Sequence, residues 1–349
     1  MNKIFSPKQT PIRQQRGVAL ITAMLVVSIA TVTAVALSSR QGLDVRRTAN
    51  VLESDQAYLY ALGIESVAKE LLLQYTKQGP KYDDPELLFV PYTYPVENGT
   101  VSGSLLDLEG RFNVNNLVDD KGKPVPLAGE RFRRLISIVA DQLRLSISAE
   151  ALVNATLDWL DEDQELRFPG AEDSEYLAKL PPYRAANRML SSTSELALIE
   201  GFTPELLNGA TIEDEQVPGL LEYVSALPEH YSTINPNSAN KLVLQALSGY
   251  LDARVVEQML ASRPFKSVSD FTEHTEIKNI KDGLKNNNTQ KTSFENDLQG
   301  LDVQSSYFMI RATTQVGKIT LLYNSIIYRD TGGRSELLTV SRAFGTDGI

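Results

Sequence analysis

Residues 17–37 read GVALITAMLVVSIATVTAVAL and decide the architecture of this 349-residue chain. The stretch carries no ionisable side chain. As a helix rising about 1.5 Å per residue, it is long enough to cross the ~30 Å hydrocarbon core of a bilayer. The leader before it contains four basic residues, Lys3, Lys8, Arg13 and Arg16, and the first acidic residue of the chain is Asp44. The positive-inside bias therefore predicts a single-pass protein whose N-terminus is cytoplasmic and whose bulk lies across the membrane.

Three interpretations of this apolar segment compete. A buried core helix is disfavoured, because an uncharged run of this length beside a basic leader is atypical of a soluble core. A cleaved secretory signal would use the small residues Ala34-Val35-Ala36 as its cleavage site and would release a soluble protein. The apolar stretch is longer than the ~7–15 residues of a signal core, so we favour a retained transmembrane segment over residues 18–38.

The composition excludes several classes of function. The chain has 34 basic and 44 acidic residues, a net charge of −10, which disfavours nucleic acid as a partner. It has no cysteine, and its only histidines are His230 and His274, which we expect at the surface or at helix caps. Thiolate and multi-histidine sites are therefore excluded. No G-x-S-x-G, P-loop or H-E-x-x-H motif occurs, and we predict that the protein is not an enzyme.

A long helix is predicted to follow the apolar segment without a break. From residue 42 to about residue 75 apolar side chains recur near helical spacing, and no proline lies between Val18 and Gln78. We therefore predict one helix over residues 18–75, ending before Gly79-Pro80. The alternative is a bent pair of ordinary helices.

The remainder of the chain alternates between two textures. Strand-like stretches occur at residues 87–94, 99–106 and 112–114, and three more follow residue 305, with turns at Gly317-Lys318 and at residues 331–333. Residues 124–288 between them appear almost entirely helical, except that 275–299 is weakly periodic and is predicted to be a loop or linker. This order predicts an α+β fold. Residues 76–118 and 298–349 are expected to form an antiparallel sheet domain, and residues 119–297 an inserted all-α domain. We predict that Trp159 lies in the core of the inserted domain.

Acidic side chains are concentrated in residues 158–175, where eight acids accompany one base, Arg167. Oxygen-only donors favour Ca²⁺ over zinc or copper. With Asp161 as position 1, acids occupy positions 3, 5 and 12 of an EF-hand pattern, but Leu166 stands where the turn needs glycine, so we predict a loop site of another kind. The predicted ligands are Asp161, Asp163, Glu165, Glu172 and Asp173, with Asp158 in reserve. The alternative is a solvated acidic turn.

The entrance to the apolar segment, Arg13-Gln14-Gln15-Arg16-Gly17 followed by Val18, resembles a prepilin leader. The resemblance implies that a membrane prepilin peptidase cuts between Gly17 and Val18 and methylates the new N-terminus at Val18. Pilin-like proteins usually carry a glutamate at the fifth residue after the cut, but this chain has Thr22 there. A carboxylate in lipid needs a partner, so a subunit without one needs no earlier neighbour.

A leader without that glutamate is similar to the K component of type II secretion systems, a minor pseudopilin, as are residues 107–117, 159–176, 194–207 and 234–247. The resemblance implies a pilin-like fold in the bacterial inner membrane. It also implies a place at the tip of the periplasmic pseudopilus, where the protein helps to initiate assembly for export across the outer membrane. The implied partners are the minor pseudopilins I and J, the major pseudopilin, the assembly platform and membrane lipid. Structural Ca²⁺ is implied in the helical domain.

Two alternatives belong to other classes of function. Residues 234–271 resemble a helix-hairpin-helix unit, but the hairpin Leu247–Leu251 keeps one glycine where the DNA-binding form has two, and no basic patch accompanies it. We therefore predict a packing or protein-contact role and no nucleic acid. The rival hypothesis is a secreted or periplasmic Ca²⁺-dependent binding protein, released by signal peptidase so that it starts at Leu37 or Ser38.

Overall fold

A computed structural model describes residues 16–330 and 337–345. The helices are α1 Arg16–Gln78, α2 Pro85–Leu88, α3 Pro126–Gln142, α4 Ala149–Leu160, α5 Asp173–Leu177, α6 Pro204–Asn208, α7 Lys241–Leu247, α8 Ala253–Leu260, α9 Val268–Thr272, α10 Thr275–Gly283 and α11 Asn288–Asp297. The strands are β1 Tyr92–Val96, β2 Gly99–Asp107, β3 Phe112–Asn113, β4 Gly209–Ile212, β5 Glu215–Pro218, β6 Val224–Ser225, β7 Tyr307–Val316, β8 Ile319–Arg329 and β9 Leu337–Phe344. Short 3₁₀ turns occupy Val114–Leu117, Thr193–Leu198 and Leu220–Glu222.

The N-terminal helix α1 is one continuous element of 63 residues, which at about 1.5 Å per residue extends over ~95 Å. It ends before Gly79, whose amide donates to the Tyr75 carbonyl at 2.7 Å. The alternative of two separate helices is not observed.

No other part of the chain that the structure describes covers the apolar part of α1. Side chains from Val18 to Leu37 are exposed on every face of the helix, with Val32 reaching 70% exposure. Within the described residues, α1 is the one helix long and apolar enough to cross a membrane. The interpretation as a buried core helix is therefore wrong.

Five strands form an antiparallel sheet in the order β1-β2-β7-β8-β9. Strands β2 and β7 are neighbours, with Leu105 opposite Ile310, although about 200 residues separate them in sequence. The whole insert therefore leaves the sheet after β2 and returns at β7. The predicted α+β class is confirmed, as is the turn at Gly317-Lys318, where Gly317 has a φ of 55°. The predicted turn at residues 331–333 lies outside the described residues.

The two faces of the sheet carry different layers. Phe308 and Ile310 of β7 pack with Leu72 of α1 on one face. Tyr307 and Met309, which point to the other face, pack with Leu227 of the insert. Alternation along one strand thus joins the helix and the insert to opposite sides of one sheet.

A buried carboxylate, Glu65 of α1, attaches the helix to the last two strands. Arg342 of β9 binds it through two nitrogens at 2.9 and 3.0 Å, Lys69 lies 2.7 Å from it, and the hydroxyl of Tyr323 donates to it. Burial alone would raise the pKa of Glu65, but the hydrogen bonds from Arg342, Lys69 and Tyr323 outweigh it and hold the pKa well below its usual range.

Buried polar contacts cluster where the insert leaves and rejoins the sheet domain, and one of them joins the two parts. Arg329 at the end of β8 donates to both carboxylate oxygens of Asp83, at 2.7 and 2.9 Å. Asp107, the last residue of β2, accepts from Ser305 at 2.6 Å and from Asn235 of the insert at 3.2 Å. Burial raises the pKa of Asp107 to about 6, and the charge of Asp83 adds to the effect. These contacts lie beside the segment that follows the C-terminal end of α1.

The insert has one large apolar core. Phe112 stacks on Phe132 with ring centroids 5.3 Å apart, and Trp159, which is 2% exposed, meets Tyr176 edge-on at 5.1 Å. The prediction of Trp159 as a core residue is therefore confirmed.

Several local predictions were wrong. The segment taken as helical contains the hairpin β4–β5 and strand β6, which pairs in parallel with β3. The hairpin turn is Glu213-Asp214, both with positive φ, and it lacks the Asn-Gly signal that usually marks such a turn. Residues 87–88 lie in α2 instead of a strand. The predicted loop at 275–299 contains α10 and α11, because Ile277 and Phe294 are fully buried.

Replacing Glu65 with Gln is expected to destabilise the protein by about 2 kcal/mol at pH 7, since it leaves Arg342 and Lys69 without their charged acceptor. Because the pKa of Glu65 is lower in the folded than in the unfolded protein, its carboxylate stabilises the fold at pH values above the unfolded pKa of 4.5. The difference between wild type and variant should therefore shrink as pH falls below 4.5. Denaturant unfolding at several pH values measures it.

The matched control is Glu70→Gln, an exposed position on the same helix whose carboxylate accepts from Gln74 at 3.0 Å. We expect a change of less than about 0.5 kcal/mol for this control. Equal stability of Glu65→Gln and wild type at pH 7 would show that the network does not stabilise the docking of α1.

Candidate functional site

The acidic segment forms a loop between two helices of the insert. Helix α4 ends at Leu160, and α5 begins at Asp173. Three of the predicted ligands converge here, since Asp161, Asp163 and Glu172 each place a carboxylate oxygen within 4.8 Å of the others.

Two of these carboxylates are buried without adequate donors. Asp161 is 2% exposed and Glu172 is 4% exposed. No described group donates a hydrogen bond of ordinary geometry to either carboxylate oxygen of Glu172 or to Oδ1 of Asp161. Arg167 forms an ion pair with the other oxygen of Asp161. A buried carboxylate that lacks hydrogen-bond donors costs free energy. A hard cation such as Ca²⁺ prefers oxygen ligands and would reduce that cost.

Burial and the neighbouring carboxylates raise the pKa values of Asp161 and Glu172. Burial raises the pKa of Glu172 to about 7, and the charges of Asp158, Asp161 and Asp163 add to it. Burial also raises the pKa of Asp161 to about 6, although Arg167 works in the opposite direction. A divalent cation would relieve this repulsion.

Asp158 has a different role in the same loop. It is fully buried and accepts from Nη1 of Arg167 at 2.8 Å and from the Ala171 amide at 3.1 Å. A side chain at Gly170 would overlap the Asp158 carboxylate, so glycine lets the loop fold over it. Asp158 thus fixes the loop through Arg167. The importance of Arg167 was missed, although its position as the single base among eight acids was a usable signal.

The other two predicted ligands lie outside the convergent group. Asp173 accepts from the Ala185 amide at 3.0 Å and from Arg184 at 3.2 Å, so it ties the start of α5 to the following loop. Glu165 is exposed to solvent, and its amide donates to Asp163 at 2.8 Å.

The start of α1 contains the predicted processing site. Gly17 and Val18 lie in its first turn. The hydroxyl of Thr22 donates to the carbonyls of Val18 and Ala19, both at 3.0 Å. Its polar group is therefore satisfied within its own helix, whereas a carboxylate at this position would need a partner from elsewhere.

The helix-hairpin-helix-like unit is packed into the insert. Helices α7 and α8 are joined by residues 248–252, and Ser248 is fully buried with its hydroxyl donating to Asp297 at 2.6 Å. Its surroundings favour the packing role. His274 caps α10, where Nδ1 accepts from the Glu276 amide, and Nδ1 of His230 lies 3.3 Å from the Asn115 carbonyl oxygen.

Comparisons with known proteins agree with this architecture. The family described as "Type II secretion system (T2SS), protein K" matches residues 110–229 and 234–293. Type II secretion system protein K of Pseudomonas aeruginosa is 31% identical over 97% of this chain and 95% of its own length. The protein of the same name from Aeromonas hydrophila is 31% identical over 95% of this chain and 98% of its own.

A solved structure covers most of the fold. A chain of the GspK-GspI-GspJ complex from enterotoxigenic Escherichia coli superposes with a TM-score of 0.69 and 26% identity, over 86% of this chain and 100% of that chain. The sequence relatives and the shared fold lead to one assignment: the chain belongs to the protein K family of type II secretion systems and has the role of a minor pseudopilin.

Proposed function

We propose that this minor pseudopilin occupies the tip of a periplasmic pseudopilus and helps to initiate its assembly for protein export across the outer membrane. The observation that carries the proposal is Thr22, whose hydroxyl is satisfied by its own helix near the start of an exposed apolar segment. A subunit with this residue can enter the bilayer before any neighbour is present to neutralise a carboxylate.

The position of the insert supports a place at the end of a filament. The sheet contacts α1 from Glu53 onward, beyond the apolar segment, and the insert joins the sheet beside the C-terminal end of the helix. The bulk of the chain therefore lies at the membrane-distal end of α1. A further subunit stacking above it would meet the insert.

The exposed side of α1 supports lateral contacts with other pseudopilins. Leu52, Leu59, Val67 and Leu71 are each at least 50% exposed, although they are large apolar residues. We infer that they pack against the helices of neighbouring subunits. The neighbouring structure contains GspK together with GspI and GspJ, which supports minor pseudopilins I and J as the partners here.

We further infer that the N-terminus is cytoplasmic and the bulk periplasmic, in the inner membrane. The basic leader supports this orientation through the positive-inside bias. Prepilin peptidase, the major pseudopilin and the assembly platform would then act on or beside α1. The role is structural, and we assign no catalytic residue.

We also propose that Asp161, Asp163 and Glu172 hold a structural Ca²⁺ ion. The support is their convergence, the burial of Asp161 and Glu172, and the carboxylate oxygens of these two residues that receive no hydrogen bond from the described residues. The ion would neutralise the loop between α4 and α5 and so order one side of the insert. Arg167 and Asp158 would keep the loop in place around it.

Thr22→Glu is expected to reduce export several-fold, because an unpaired carboxylate in the apolar segment costs on the order of 3 kcal/mol and makes the subunit dependent on a neighbour. The measurement is exoprotein secretion in a strain whose own copy is deleted. Thr22→Val, which removes the hydroxyl and adds no charge, is the control and should retain export. Normal export by a Thr22→Glu subunit that reaches the membrane in wild-type amount would contradict the proposal.

Calcium at 1 mM is expected to raise the thermal midpoint of the full-length protein in detergent by about 5 °C over a chelated sample. Folding raises the pKa of Asp161 from 3.8 to about 6 and the pKa of Glu172 from 4.5 to about 7. The metal-free loop therefore becomes less stable as the pH rises through these ranges and the two acids ionise. The calcium shift should therefore be large at pH 7.5 and small at pH 5.

Glu172→Gln should lose this shift without lowering the midpoint of the chelated sample. Glu162→Gln, an exposed acid of the same loop outside the convergent group, should keep it. Identical midpoints of the wild-type protein with calcium and with chelator at pH 7.5 would exclude the site.

A further inference from the structure

A cleft of about 460 Å³ separates the outer face of the sheet from the insert. Met309 and Arg311 of β7 and Asn324 of β8 form the sheet wall. The opposite wall includes Arg111, which directly precedes β3, and Ser194, Leu207, Pro218, Leu221 and Glu222 of the insert. Its volume falls within the range of about 300–1,000 Å³ in which proteins bind small molecules or short peptide segments.

Two guanidinium groups, those of Arg111 and Arg311, share this cleft with one carboxylate, that of Glu222. Arg311 has no ion-pair partner within 4 Å in residues 16–330 and 337–345. Arg111 has a largely buried side chain, and its nearest carboxylate, Glu222, is 3.6 Å away and well exposed. Burial lowers the pKa of Arg111, Glu222 opposes that effect, and the charge of Arg311 adds to it. The chain has more acidic than basic residues, yet no described acid forms an ion pair with Arg311.

The cleft also contains a buried acceptor without a donor. Asn324 lies directly across from Arg311 in the β7–β8 register and is 3% exposed. Its amide nitrogen donates to the Gly345 carbonyl at 3.1 Å, but its Oδ1 receives no hydrogen bond from the described residues. A buried polar atom of this kind normally has a partner, so a ligand with an N–H group would complete it.

We propose that this cleft binds an extended protein segment that carries a carboxylate. The carboxylate lies against Arg111 and Arg311, because planar guanidinium groups pair with carboxylates through two parallel hydrogen bonds. A backbone amide of the segment donates to Oδ1 of Asn324. Apolar side chains of the segment pack on Leu207, Pro218 and Met309.

A single carboxylate fits the cleft better than a phosphate does. Glu222 stands at the cleft with a negative charge of its own, which disfavours a second, doubly charged anion. Leu207, Pro218, Leu221 and Met309 give the walls an apolar character that suits a peptide. The cleft lies at the junction between sheet and insert, so its ligand does not depend on the position of the protein in a filament.

The test is fluorescence anisotropy with the full-length protein in detergent and three fluorescein-labelled hexapeptides of otherwise equal sequence. One has a central Glu and an amidated C-terminus, one has a central Gln and a free C-terminal carboxylate, and one has neither charge. At least one charged peptide should bind about tenfold more tightly than the neutral peptide. Which of the two does so identifies a side-chain or a terminal carboxylate as the source.

Arg311→Met is expected to remove this preference, and its exposed position makes it compatible with folding, which an unchanged thermal midpoint verifies. Arg144→Met is the matched control, because Arg144 is an exposed arginine of the insert that pairs with Glu213 at 2.6 Å. The control should retain the preference. The proposal is overturned if all three peptides bind equally or fail to bind, if Arg311→Met binds as wild type does, or if 10 mM inorganic phosphate binds the cleft in place of the peptides.

Discussion

The structure depends on one hydrophobic constraint: none of the other described residues covers the side chains of α1 from Val18 to Leu37. Sixteen exposed apolar residues in this segment are incompatible with a soluble monomer, since each large aliphatic side chain gains about 1.5–3 kcal/mol on leaving water. Lipid or neighbouring helices must supply the cover. Because α1 continues without a break to Gln78, that requirement also sets where the sheet and insert lie, at the far end of a rod that starts in the membrane.

Buried polar contacts then fix how the layers meet. Apolar surfaces alone would tolerate several orientations of α1 on the sheet, whereas Glu65 must face both Tyr323 and Arg342. The pair Asp83–Arg329 and the contacts of Asp107 act in the same way where the insert leaves and rejoins the sheet. Breaking such a contact leaves an uncompensated buried charge, and the geometry is therefore strongly specified.

The sequence predicts elements that depend on neighbouring residues better than elements that depend on contacts between distant parts of the chain. The apolar segment, the long helix and the three C-terminal strands depend on local composition and periodicity, and all are present. The turn at Glu213-Asp214 lacks the usual residues, and α11 is helical because Phe294 is buried by distant parts of the chain, so neither had a local signal. Of the six predicted ligands, three converge. The ion pairs of Asp158 and Asp173 with Arg167 and Arg184 depend on how the loop folds back, which spacing alone does not reveal.

We propose that the mature protein keeps the apolar segment as its anchor. The N-terminal sequence and mass of the chain, isolated from membrane and soluble fractions of cells, test this proposal. We expect a membrane-bound chain beginning at Val18 with a methylated amine. A soluble chain beginning at Leu37 or Ser38 would contradict it and would favour a released binding protein.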